Sequence, residues 1–321
     1  MTRQDTSEDG TTLLATLFVV MVMSIAAAAG VTAVTESIRA AKVSQDGMRT
    51  EWLARSAARG LEAIIVRQGS LVAQAGSDPI PVPLPQGTAL VSLHDTTSCF
   101  NLNSLALDKD GTEIDPQAVA AYRRLLTGLG ATEGEADRLA ATLSDWIDAD
   151  GASRNSGAEE SAYSYLASPY RAANHTLRDI SELRSIDGYS AEIVAQVTPS
   201  VCVREPATLS AINLNSLTEQ DLPLLQALAL EDVSMTDLAA RVGARPSTGW
   251  VSVEEFLSVF AAGDGSAAPI FAAELLLESR NIRADFALPG PAGPVVFVAD
   301  YEKIGEGGWH LVSLRRTNGH D

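Results

Sequence analysis

The chain opens on a long uncharged block. After Gly10 the segment TTLLATLFVVMVMSIAAAAGVTAVT (11–35) carries no ionisable side chain. About 20 apolar residues are enough to span a bilayer as a helix. Beyond Glu36 the pattern changes but does not stop. Ile38, Val43, Met48, Trp52, Leu53, Ala57, Leu61 and Ile64 follow one another at mixed three- and four-residue spacing, and no proline intervenes. This predicts one helix from Thr11 to about Arg67, roughly 80 Å long at 1.5 Å per residue. Its first half is apolar all round and its second half amphipathic.

The period then shortens. GSDPIPVPLPQG (76–87) reads as a proline-rich extended connector, and TALVSLHD (88–95) alternates as a strand does. The C-terminal stretch ADFALPGPAGPVVFVADYEKIGEGGWHLVSLRRT alternates around glycine-rich turns, with VVFVADYEKI and GWHLVSLRR as a hairpin. Between these lies a helical region, and within it a phrase repeats: FNLNSLA at 100–106 returns as INLNSLT at 212–218. Asn-x-Asn-Ser can close a turn and cap the helix that follows, because these side chains accept bonds from free backbone N–H groups. The expected fold class is α+β. A small antiparallel sheet, including strands near 88–95 and 201–210, packs on the soluble half of the long helix. A helical domain, 103–197, is inserted between two of its strands. The resulting division is 1–10, 11–35, 36–102, 103–197 and 198–321.

Charge narrows the function classes. A net charge of −18 over 321 residues argues against nucleic acid as a partner and suits a solvated extracytoplasmic surface. The two cysteines, Cys99 and Cys202, can form one disulfide in an oxidising compartment or stand as unrelated thiols. The four histidines are scattered without metal-ligand spacing, and there is no G-x-S-x-G or P-loop, so no enzyme is expected.

One stretch concentrates acid. Asp145, Asp148 and Asp150 are followed, after the small polar loop GASRNSG, by Glu159 and Glu160. Carboxylates gathered on one loop repel one another unless a cation sits among them. Ca²⁺ takes about six to eight oxygen ligands and tolerates irregular geometry. Asp148, Asp150, Glu159 and Glu160 are the expected calcium ligands, with Asp145 as a direct or supporting partner. Asn174 and Asp179 are candidates for a second site. The bland alternative is a solvated acidic loop.

Three sets of residues carry a family resemblance. Gly10 before an uncharged helix is similar to a type IV pilin-like N-terminus, which implies cleavage by a prepilin peptidase between Gly10 and Thr11. The phrases DWIDAD, SGAEESAYSY, PYRAAN and ISELRSIDG, with both NLNSL phrases, resemble the minor pseudopilin K family of type II secretion systems. That resemblance implies a pilin-like structural subunit at the tip of the pseudopilus. It also implies a single-pass inner-membrane anchor, a periplasmic body, and minor pseudopilins I and J as partners. Ala15 stands at the fifth mature position, where the wider family usually has Glu; the tip subunit is the one that departs from this rule. A different class remains open: INLNSLTEQDL and ISELRSIDGYSAEIVAQV resemble helix-hairpin-helix modules of DNA-uptake proteins. Here the hairpins IDGYS and LALED place acid where phosphate would sit, so phosphate binding is not expected.

Overall fold

The computed structural model describes residues 8–67, 79–84, 87–108, 110–205, 208–230, 233–258, 260, 271–290, 293–305 and 308–317. Most of the expected leader (1–7) and part of the connector (76–78, 85 and 86) lie outside the described residues. Helix α1 runs Glu8–Arg67 without interruption. Within it, Thr11–Ile65 contains a window apolar enough to cross a membrane, with mean hydropathy 2.4 and no share buried. Burial begins only near Thr50, and Ala54, Ala57, Ala58, Leu61 and Ile65 are wholly covered. Their three- and four-residue spacing puts them on one face.

That face lies on a five-stranded antiparallel sheet in the order β1-β2-β7-β8-β9. The strands are β1 (Ile80–Leu84), β2 (Gly87–Asp95), β7 (Asn281–Gly290), β8 (Gly293–Ile304) and β9 (Gly308–Thr317). Alternation decides what each strand gives to the core. Ala89, Val91 and Leu93 point inward while Leu90 is exposed, and Ile282, Ala284, Phe286 and Leu288 do the same from β7. The buried Tyr301 hydroxyl donates to the Ala58 carbonyl at 2.8 Å, tying sheet to helix. The architecture is α+β, as expected.

Strands β2 and β7 are neighbours, so everything between Asp95 and Asn281 is an insertion. It is larger than the expected 103–197. The segments near 201–210 do not join the main sheet, and this corrects the expected strand set. β4 (Val201–Cys202) pairs in parallel with β3 (Phe100–Asn101), and β5 (Ser210–Asn213) pairs in parallel with β6 (Ala273–Leu276). The reason is burial. All four residues of β5 are covered, whereas a strand of the main sheet such as β2 alternates covered and exposed positions and gives the core one face only. Around these pairs stand α2 (Pro116–Gly128), α3 (Glu133–Ile147), α4 (Glu160–Ser164), α5 (Ala191–Val197), α6 (Leu222–Leu228), α7 (Met235–Gly243) and α8 (Val253–Ser258).

The repeated NLNSL phrases explain the insert's order. Asn101 Oδ1 accepts from the Asn103 N–H at 3.2 Å, and Asn213 Oδ1 accepts from the Asn215 N–H at 3.1 Å. The second asparagine of each pair then reaches far across the fold. Asn103 accepts from the Leu177 N–H at 2.8 Å and donates to the carbonyls of Leu177 and Arg204, each at 2.8 Å. Asn215 accepts from the Trp250 N–H at 2.6 Å and donates to the carbonyls of Trp250 at 3.1 Å and Leu277 at 3.0 Å. In both copies one amide clamps a strap and a closing strand. The insert is therefore a tandem pair of similar units, each running from a strand through Asn-x-Asn and helices to a strap and a parallel strand. Cys99 and Cys202 are joined at the base of the first unit, with an S–S distance of 2.07 Å.

Candidate metal centre

The first unit carries a loop between α3 and its strap that the second lacks. It begins where α3 ends. Asp145 lies in the last turn of α3 and Asp148 is its C-terminal cap residue, three positions on, so both face the same way. The chain then turns through residues 149–158 and returns Glu159 to the same spot. Single oxygens of Asp145, Asp148 and Glu159 all lie within 4.8 Å of one another, and all three residues are buried. Gly157 makes this approach possible: a Cβ there would stand 2.0 Å from Asp145 Oδ2. Ser156 sits at φ 65°, a left-handed conformation uncommon for a residue with a side chain.

The hydrogen bonding is uneven. Asp145 is well supplied: the Arg154 N–H donates at 3.1 Å, Ser153 Oγ at 3.3 Å and the Arg154 guanidinium at 2.7 Å. The same guanidinium nitrogen touches Asp148 Oδ2. Asp148 Oδ1 and both oxygens of Glu159 are buried with no partner. An unsatisfied buried carboxylate oxygen is costly, so these three atoms demand a donor or a cation. Burial, reinforced by the charges of Asp145 and Asp148, pushes the Glu159 carboxyl up to about 7. Burial likewise raises Asp148, against the opposing pull of Arg154.

Of the four ligands expected from the sequence, Asp148 and Glu159 are brought together, and Asp145 joins them. Asp150 and Glu160 are exposed and lie outside the converging group. The Asp150 carboxylate accepts from the Ala152 N–H at 2.7 Å, and Glu160 pairs with Arg171 at 3.3 Å. Asn174 Nδ2 donates to the Asp150 carbonyl at 2.7 Å and so pins the start of the loop. Asp179 caps the short helical turn 180–185 by accepting from the Ser181 N–H at 2.8 Å. Among the described residues no other set of three such side chains converges. In the first of the two helix-hairpin-helix positions Asp187 is held by Arg138 at 2.7 Å, and residues 231 and 232 of the second lie outside the described residues.

Comparison with known proteins places this arrangement. Two family models, each described as type II secretion system (T2SS), protein K, match residues 98–206 and 212–275, one on each of the two units. A type II secretion system protein K from Pseudomonas aeruginosa is 30% identical over 264 residues, which is 78% of this chain and 76% of that protein. The chain belongs to the type II secretion system protein K family. Other protein K relatives align over less. The Pectobacterium carotovorum protein is 37% identical over 175 residues, 54% of this chain and 53% of its own length. The putative Escherichia coli K12 protein is 37% identical over 186 residues, 57% of each. The chain thus spans about half the length of these two relatives. A chain in the crystal structure of the GspK-GspI-GspJ complex from enterotoxigenic E. coli superposes with a TM-score of 0.69 at 25% identity, covering 87% of this chain and 99% of that one.

Two members of this cluster escaped the sequence reading. Arg154 was read only as part of a small polar loop, yet its guanidinium bridges two of the acids. Gly157 was likewise passed over. The only signal for either was position, inside a loop bracketed by carboxylates.

Proposed function

We propose that the chain is a structural, non-enzymatic minor pseudopilin at the tip of the periplasmic pseudopilus, supporting protein export across the outer membrane. The observation that carries this reading is the shape of α1: 60 residues long, bare and apolar at first, and covered by the sheet only in its last turns. Such a helix anchors in the inner membrane and continues into a filament, while the insert forms a bulky crown. The related GspK-GspI-GspJ complex supports the I- and J-like minor pseudopilins as partners. Beyond the apolar block, Ile38, Val43, Met48 and Trp52 remain 62%, 65%, 60% and 69% exposed, and a continuing apolar stripe of this kind invites neighbouring helices. Soluble forms starting near Glu36 should co-migrate with the I- and J-like subunits at micromolar concentration. Met48→Glu with Trp52→Glu should separate them. Independent migration of the three wild-type subunits would reject the tip reading.

We also propose processing by a prepilin peptidase between Gly10 and Thr11. Gly10→Val should block it, leaving intact mass higher by the whole leader. Wild-type protein retaining Met1 in a host with active peptidase would refute the cleavage.

The cluster of Asp145, Asp148 and Glu159 fits Ca²⁺, with the exposed Asp150 and Glu160 at its margin. Support comes from three unpartnered buried oxygens in an all-oxygen donor set. Oxygen ligands favour Ca²⁺ over Zn²⁺, and an irregular loop favours it over Mg²⁺. The ion would supply positive charge that holds the loop 148–160 closed. These residues would keep it oriented.

A further inference from the structure

The carboxylate cluster contains a positive charge of its own. Arg154 Nη1 lies 2.7 Å from Asp145 Oδ1 and also touches Asp148 Oδ2. Its backbone N–H donates to Asp145 as well, at 3.1 Å, so the residue is fixed at two points. The oxygens it uses are not the ones left without a partner. Asp148 Oδ1 and both Glu159 oxygens remain free, on atoms the guanidinium does not contact. The arginine can therefore stay in place while a cation takes the remaining oxygens. The charge count agrees. Three buried carboxylates and one guanidinium leave a net charge of minus two, which one divalent ion cancels. Asp150 stands in solvent at the rim, where water screens its contribution.

Resting on the calcium reading above, we infer that Arg154 is a charge-setting residue for this site. It matches the cluster to a single divalent cation and holds back trivalent ions. The physical basis is that a fixed positive charge repels a bound ion in proportion to that ion's charge. Removing it must favour M³⁺ over M²⁺. An arginine that left the site on binding would behave differently. Its loss would then help both ions by the same factor.

The test uses the full chain in detergent at pH 7.5 and fixed ionic strength, with calcium and terbium as probes. Calorimetry gives both dissociation constants, and terbium luminescence checks the second. In Arg154→Gln, the preference for terbium over calcium should rise on the order of tenfold or more relative to wild type. Arg154→Lys keeps the charge and should hold the wild-type ratio within about threefold. Arg154→Met is a second neutral replacement that fills similar space and should match Arg154→Gln. Native folding of each is checked by circular dichroism in saturating calcium. Equal tightening for both ions, or no change for either, overturns the inference while leaving the calcium site intact. Failure of both neutral variants to fold even in calcium makes Arg154 a structural pairing residue and also overturns it. If the wild type binds neither ion, the calcium reading itself falls and this inference with it.

Discussion

Calcium should raise the melting temperature of the ion-free protein, and by more at pH 7.5 than at pH 5. A ligand that binds only the native state at about 100 times its dissociation constant adds roughly 2.7 kcal/mol. In a domain of this size that amounts to about 5–10 °C. The pH dependence follows from Glu159. Its carboxyl is held up to about 7 in the fold, against 4.5 for the free group, chiefly by burial and then by Asp145 and Asp148. With the folded value raised, the native state holds its proton more tightly than the unfolded chain does. The ion-free protein is therefore most stable below about pH 4.5 with respect to this group, and it loses stability as pH rises toward 7. Asp148 is shifted in the same direction, also by burial. Calcium must displace the Glu159 proton at pH 5 but meets an open Glu159 carboxylate at pH 7.5. The increment from calcium thus grows over the window in which the ion-free fold weakens. Asp148→Asn combined with Glu159→Gln should remove both the calcium shift and this pH dependence. Identical melting of the wild type in calcium and in chelator at pH 7.5 would show that the three acids hold no ion.

Asn103→Ala should cost about 3–5 kcal/mol, among the largest effects of any single change in the insert. The side chain is only 1% exposed, and it satisfies the Leu177 N–H, the Leu177 carbonyl and the Arg204 carbonyl. Truncation strands all three in the interior. Each unsatisfied buried group costs about 1–3 kcal/mol, part of which is recovered if water enters. Denaturant midpoints of the oxidised protein measure the loss, and Asn215→Ala tests the equivalent clamp in the second unit. A change under about 1 kcal/mol at Asn103 would mean that the strap finds other partners and the clamp is incidental.

The long helix and the terminal hairpin were legible because their signals are periodic and local. An uncharged block followed by a three- and four-residue stripe has one simple solution, as does alternation around glycine-rich turns. The NLNSL echo was legible as a repeat, and its turn-closing role followed from the chemistry of asparagine. Its main work was not legible: nothing near Asn103 in sequence points to Leu177 or Arg204. The strands at 201–202 and 210–213 were assigned to the wrong sheet for a related reason. Short buried strands show no alternation, so the sequence offers no clue to which partner they choose. At the candidate metal centre the acids were visible as a cluster, but which of them converge depends on where α3 ends. Asp145 and Asp148 share a face only because the helix persists to Ile147. Glu159 turns inward and Glu160 outward because consecutive residues leave the backbone in different directions.

The nesting of the insert has a consequence for the order in which the chain acquires its structure. Leu90 of β2 is paired with Ala287 of β7, so the central pairing of the main sheet closes one of the widest loops in the molecule. Closing such a loop from an unstructured chain is slow, and its exposed strand edges invite misassembly. The insert shortens the search. Once its two units have folded from contacts among their own residues, the Thr96 N–H meets the Asn281 carbonyl at 3.0 Å, and the two strands emerge side by side. A folded insert thus holds the two strand ends at the spacing that the sheet needs. Because β7, β8 and β9 leave the ribosome after the whole insert, α1 waits with its apolar face uncovered until they follow.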